Sequence, residues 1–121
     1  MKKKVLIIED EESLAKSLAL VLKGDFEVFV AATGREGIEQ AEKRQPDLIF
    51  LDVMLPDKQG PEILAALKRD KKTAAIPVVV LTNLDNPETV SKILAAGGKE
   101  YLVKTDWSVD EVAAKAREIL G

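Results

Sequence analysis

A chain of 121 residues can bury a real core without disulfides or a structural metal, and 46% apolar beside 32% charged residues is the balance of a soluble globular protein, not a disordered tail. The net charge of −3 offers no basic face, so direct binding to nucleic acid or to a membrane surface is not expected. The absence of cysteine and histidine removes disulfides, thiol nucleophiles, imidazole metal ligands and hydrolytic triads, which leaves carboxylates, hydroxyls and amines to carry any chemistry.

Met1-Lys2-Lys3-Lys4 followed by Val5-Leu6-Ile7-Ile8 imitates a secretion signal, but the apolar stretch stops at Glu9, so it reads as the first strand of a cytoplasmic protein. Leu14, Leu18 and Leu22 recur every fourth residue after Glu11-Glu12-Ser13 and predict a helix that stops near Gly24. Phe26, Val28 and Val30 alternate with Glu27, the pattern of a half-exposed strand at a sheet edge. Thr33 and Glu36 form a capping-box pair for a second helix carrying Ile38 and Ala41, which Pro46 closes. Leu48-Ile49-Phe50-Leu51 is the third strand.

Gly60-Pro61 opens a third helix with Ile63, Leu64 and Leu67 as its buried stripe. Val78-Val79-Val80-Leu81 is the fourth strand. Asn86-Pro87 opens a fourth helix that buries Val90, Ile93 and Leu94 and ends at Gly97-Gly98. Tyr101-Leu102-Val103 is the fifth strand, and Ser108 with Glu111 caps a last helix bearing Val112, Ala116, Ile119 and Leu120. Trp107, just before that cap, is expected to staple onto Val112 rather than to anchor a partner.

Strict alternation with short connections forces crossover helices, hence a (βα)₅ α/β domain over residues 1–121, with parallel strands and helices on both faces. No second module, such as an output domain, fits within this length. The polar second strand belongs at an edge. Four other runs end in Glu9-Asp10, Asp52, Thr82 and Lys104, and the order 2-1-3-4-5 gathers those ends around one crevice, where open α/β sheets bind ligands.

Two bare carboxylates about 4 Å apart repel by on the order of 4 kcal/mol at an effective dielectric of about 20, so Glu9, Asp10 and Asp52 require a cation among them. Mg²⁺ suits hard oxygen ligands and leaves positions for phosphate oxygens. A carboxylate is also a nucleophile toward phosphorus, a role that falls to Asp52, with the Thr82 hydroxyl and Lys104 ammonium neutralising the transferred oxygens. Taken singly, each group has an ordinary explanation: turn chemistry for Asp52, helix-dipole complementarity for Glu9 and Asp10, a strand end for Thr82, a surface ion pair for Lys104. Together, at one edge, they favour phosphoryl transfer.

These segments, with Pro46-Asp47 through Asp52-Val-Met-Leu-Pro56 to Gly60, Ile76-Pro77 through Thr82, and Tyr101 through Lys104, resemble the receiver domains of two-component response regulators, which are CheY-like. The resemblance spans the whole chain. It implies a flavodoxin-like three-layer sandwich with Asp52 as phosphoacceptor. Glu9 and Asp10 form the acidic pair, Asp10 ligates Mg²⁺ directly, the Met54 carbonyl completes the metal site, and Thr82 and Lys104 bind the phosphoryl group. Tyr101 is the aromatic that turns inward as Thr82 moves. The implied donor is a sensor histidine kinase or a histidine phosphotransfer protein, and the implied state is a monomer or a phosphorylation-dependent dimer.

The chain departs from that pattern in three places. Thr105 follows Lys104 where proline with a cis bond is usual, and retention of a cis bond is expected. Asn83 replaces a small residue beside the threonine, which narrows access. Met54 and Leu84, both apolar, are expected to obstruct hydrolytic water and prolong the acyl phosphate. Two other functions remain open: a hydrolytic phosphatase with an aspartyl-phosphate intermediate, which the apolar Met54 disfavours, and a receiver-like protein-interaction module with a degenerate phosphorylation site.

Overall fold

A computed structural model describes residues 2–83 and 87–121. Its elements in chain order are β1 (Lys4–Ile8), α1 (Glu12–Leu22), β2 (Glu27–Ala31), α2 (Gly34–Arg44), β3 (Leu48–Leu51), α3 (Gly60–Arg69), β4 (Val78–Thr82), α4 (Pro87–Ala95), β5 (Glu100–Val103), a 3₁₀ turn at Lys104–Asp106, and α5 (Val109–Leu120). The expected opening of α4 at Asn86 and the placement of Leu84 lie outside the described residues.

The five strands are parallel in the order β2-β1-β3-β4-β5. Because side chains alternate across a pleated strand, each central strand feeds two cores. Leu6, Ile8, Ile49, Leu51, Val78 and Val80 pack with Ala41, Ile63, Leu64 and Ile93 of α2, α3 and α4. Val5, Ile7, Phe50, Val79 and Leu81 pack with Leu18, Leu22, Val112 and Ala116 of α1 and α5. Both faces are therefore covered, which is why these strands read as uninterrupted apolar runs. Edge strand β2 differs as expected, with Glu27 and Val30 exposed. No helix among the described residues is long and apolar enough to cross a membrane.

The capping signals are realised with local changes. In α5 the box is complete: Glu111 N–H donates to Ser108 Oγ at 3.1 Å and Ser108 N–H to Glu111 Oε1 at 3.0 Å. At α2, Glu36 N–H donates to Thr33 Oγ1, but the Glu36 carboxylate reaches back to Ala32 N–H at 3.4 Å, one residue beyond the expected partner. The same helix ends before Pro46, where Gln45 takes a left-handed conformation with φ of 47°. Trp107 packs, half-buried, against the cluster that contains Val112. In α4, Ile93 is buried but Leu94 is 43% exposed, because it lies about 100° further round the helix and clears the sheet.

The expected cis bond at Lys104–Thr105 is absent: every peptide bond among the described residues is trans. Without proline's tertiary amide, trans is favoured by about 3 kcal/mol. The 3₁₀ turn at Lys104–Asp106 gives Lys104 its direction instead.

Candidate functional site

The sheet register builds the site. Ile8 pairs with Leu51, so Glu9 and Asp52 follow at the same level on neighbouring strands, and Asp52 N–H donates to Ile8 O at 3.0 Å. Glu9 N–H donates to Ala31 O at 2.9 Å, which ties the end of β1 to the end of β2. Thr82 pairs with Val103, and Lys104 comes next.

Glu9, Asp52 and Thr82 are buried, whereas Asp10 is exposed at the mouth. One oxygen from each of Glu9, Asp10 and Asp52 lies within 4.8 Å of the other two. Lys104 Nζ reaches Glu9 Oε1 at 2.7 Å, Asp52 Oδ2 at 3.1 Å and Glu11 Oε2 at 3.7 Å. The other Asp52 oxygen, Oδ1, accepts Met54 N–H at 3.0 Å, and Glu9 Oε2 accepts Glu11 N–H at 3.0 Å. All four Glu9 and Asp52 oxygens are thus directed by named donors.

Burial pushes the Glu9 carboxyl up to about 7, against the Lys104 and Glu11 hydrogen bonds, with the nearby Asp52 charge adding to the rise. Burial opposes the charge on Lys104 too, but the hydrogen bond to Glu9 and the Asp52 charge outweigh it, and its pKa is raised. Lys104 therefore remains an ammonium. The Thr82 hydroxyl is buried and has no hydrogen-bond partner among the described residues, an arrangement that costs about 1–3 kcal/mol until an acceptor or donor meets it.

The remaining expected residues are placed as follows. Met54 is 56% exposed beside Asp52, and Asn83 is exposed just past β4. Tyr101 is half-buried against the cluster that contains Val80 and Ile93.

The loop joining β3 to α3 is closed at its neck by a Met54–Gln59 bridge and by Gly60 N–H donating to Val53 O at 3.2 Å. Glycine is needed there, since a Cβ on Gly60 would lie 2.3 Å from Val53 Cβ. At the loop's tip, Asp57 Oδ1 accepts Gly34 N–H at 2.8 Å and Oδ2 accepts Arg35 N–H at 3.0 Å. Those two N–H groups hold the Asp57 carboxyl below its ordinary range. Sequence reasoning missed Asp57 and Glu11, because a pairing across more than twenty residues leaves no local spacing to read.

The chemistry of such a set is narrow: hard oxygen donors that suit a divalent cation, an ammonium against a buried carboxylate, and a buried hydroxyl with no partner among the described residues. Comparison with known proteins agrees in kind. A family model described as the response regulator receiver domain matches residues 5–117. The chain is 37% identical over 123 residues to the alkaline phosphatase synthesis transcriptional regulatory protein PhoP of Bacillus subtilis, covering 99% of the chain and 49% of that protein. It is 38% identical over 117 residues to the KDP operon transcriptional regulatory protein KdpE of Escherichia coli, covering 96% of the chain and 50% of that protein. The chain thus spans about half the length of these curated relatives. Among solved structures, the chemotaxis response regulator CheY4 of Vibrio cholerae superposes with a TM-score of 0.89 at 28% identity, covering 98% of this chain and 99% of that one.

Proposed function

The chain belongs to the response regulator receiver domain family, and from that premise we propose that Asp52 takes a phosphoryl group from a phosphohistidine donor, a sensor histidine kinase or a histidine phosphotransfer protein. A receiver domain is not an enzyme with a separate turnover substrate. Its part in the reaction is to catalyse its own modification and its slow reversal.

The observation that carries this reading is Lys104 Nζ at 3.1 Å from an Asp52 carboxylate whose other oxygen is held by Met54 N–H. The three-carboxylate cluster fits Mg²⁺, which Asp10, Asp52 and the Met54 carbonyl would hold with Glu9 beside them. Bound there, Mg²⁺ would supply positive charge against the phosphoryl oxygens. Asp52 attacks phosphorus in line, the P–N bond to the donor imidazole breaks, and the imidazole leaves with its electron pair and takes a proton from solvent. Lys104 pairs with one phosphoryl oxygen, and the Thr82 hydroxyl, which has no partner among the described residues, takes another. Movement of Thr82 draws Tyr101 inward and alters the partner preference of the α4-β5-α5 face. No direct contact of these residues with nucleic acid or membrane is proposed, and the setting is cytoplasmic, as monomer or phosphorylation-dependent dimer.

Incubation with acetyl phosphate and Mg²⁺ followed by intact mass measurement tests the assignment. Wild type gains one phosphoryl unit and Asp52→Asn gains none. Equal gain in both proteins places the acceptor elsewhere.

A further inference from the structure

We infer that Asp57 is a positioning residue for phosphoryl transfer, locking the loop that presents Asp52 and the Met54 backbone onto the amino end of α2. The inference rests on the reading of Asp52 as phosphoacceptor. An aspartate after Leu55-Pro56 ordinarily serves its own turn by accepting a nearby N–H. Here both oxygens cross to another element, reaching residues 23 and 22 positions back in the chain.

The two elements also touch. A Cβ added to Gly34 would come within 3.0 Å of Lys58 Cβ and Ile63 Cδ1, so the loop and the helix start lie in close contact. Thr33 already takes the Glu36 N–H, so α2 has a cap of its own, and Asp57 adds a tie between helix and loop. A carboxylate suits that tie better than a neutral amide, because charge-assisted bonds to the first N–H groups of a helix are strengthened by its positive end.

The tie completes a ring of links around the site, two of them main-chain hydrogen bonds and the last the Asp57 side chain. Asp52 N–H holds Ile8 O, Glu9 N–H holds Ala31 O, Ala31 leads into α2, and Asp57 returns from α2 to the loop that follows Asp52. The neck at Met54–Gln59 fixes the shape of the loop, while the tip fixes where that loop stands relative to Glu9 and Asp10. Cutting the tip therefore leaves the three carboxylates in place but lets the Met54 carbonyl drift from them.

The test is the Mg²⁺ dependence of acyl-phosphate formation from acetyl phosphate, followed by intact mass, with melting temperature measured in parallel. Asp57→Ala is expected to raise the Mg²⁺ concentration at half-maximal rate about tenfold, the range seen when groups supporting a metal ligand are lost. Thr33→Ala, which uncaps the same helix without touching the loop, is expected to lower the melting temperature and leave the Mg²⁺ requirement at the wild-type value. Asp57→Asn, which keeps one acceptor oxygen, is expected to fall between. An equal requirement in wild type and both Asp57 variants overturns the inference, as does an equal rise in Thr33→Ala. Should Asp57→Ala not fold, Asp57→Asn against wild type decides in the same way. A wild type that takes up no phosphoryl group overturns instead the function on which the inference stands.

Discussion

Lys104 Nζ lies closer to Glu9 Oε1, at 2.7 Å, than to Asp52 Oδ2, at 3.1 Å. The lysine is shared between the Asp52 and Glu9 carboxylates and serves as the counter-ion of the pocket. A divalent cation held by Glu9, Asp10 and Asp52 would compete with that ammonium for the same oxygens.

Lys104→Met should accordingly destabilise the metal-free protein by about 3 kcal/mol, since it leaves the buried Asp52 and Glu9 carboxyl groups without their cation. Added Mg²⁺ should recover much of the loss, and more of it than the stabilisation Mg²⁺ gives wild type. Thermal melts with and without Mg²⁺ measure both effects. An Mg²⁺ increment no larger than that of wild type would show that the ammonium and the metal occupy independent positions.

Stability should depend on pH through Glu9. Its folded-state pKa of about 7 stands above the ordinary 4.5, so the folded protein holds this proton more tightly than the unfolded chain does. The stability this gives is fully present below about pH 4.5 and is lost as pH rises through about 7, a decline of roughly 3 kcal/mol for the metal-free protein. Glu9→Gln should flatten that part of the profile. Urea unfolding at a series of pH values reads the slope, and an identical slope in the variant would assign it to other groups.

Thr82→Val should separate folding from function. Replacing a buried hydroxyl that has no partner among the described residues by a methyl of the same shape should leave stability unchanged or raised. Phosphorylation by acetyl phosphate should slow by at least about tenfold, because one phosphoryl oxygen loses its donor. Melting temperature and initial rate, measured on the same preparation, check both halves.

On the proposed function, Met54 should lengthen the lifetime of the signal. Its side chain is 56% exposed next to Asp52, where it offers no hydrogen bond to water. Met54→Asn should shorten the acyl-phosphate half-life severalfold, as measured by decay of the phosphorylated mass after removal of the donor. An unchanged half-life in Met54→Asn combined with Leu84→Glu would remove both apolar residues from the account.

Much of this was legible in the chain because strand burial and strand-end chemistry are local patterns. Val5–Ile8 and Val78–Leu81 announce strands covered on both faces, and Glu27 marks the edge. The order of the sheet then follows from gathering Glu9, Asp52, Thr82 and Lys104. Features set by tertiary geometry were not legible. Leu94 has the spacing of a buried residue, but α4 turns it past the sheet. The trans bond after Lys104 depends on how the 3₁₀ turn aims the side chain, and Asp57 finds its partners only once α2 has docked.

Asp52 and Lys104 each stand one step beyond a paired residue, Asp52 beyond Leu51 and Lys104 beyond Val103. A one-residue slip of β5 against β4 would turn Lys104 to the opposite face and leave Asp52 alone. Competence to receive the signal is thereby coupled to complete zippering of the sheet, so a partly unfolded molecule falls silent instead of transmitting in error.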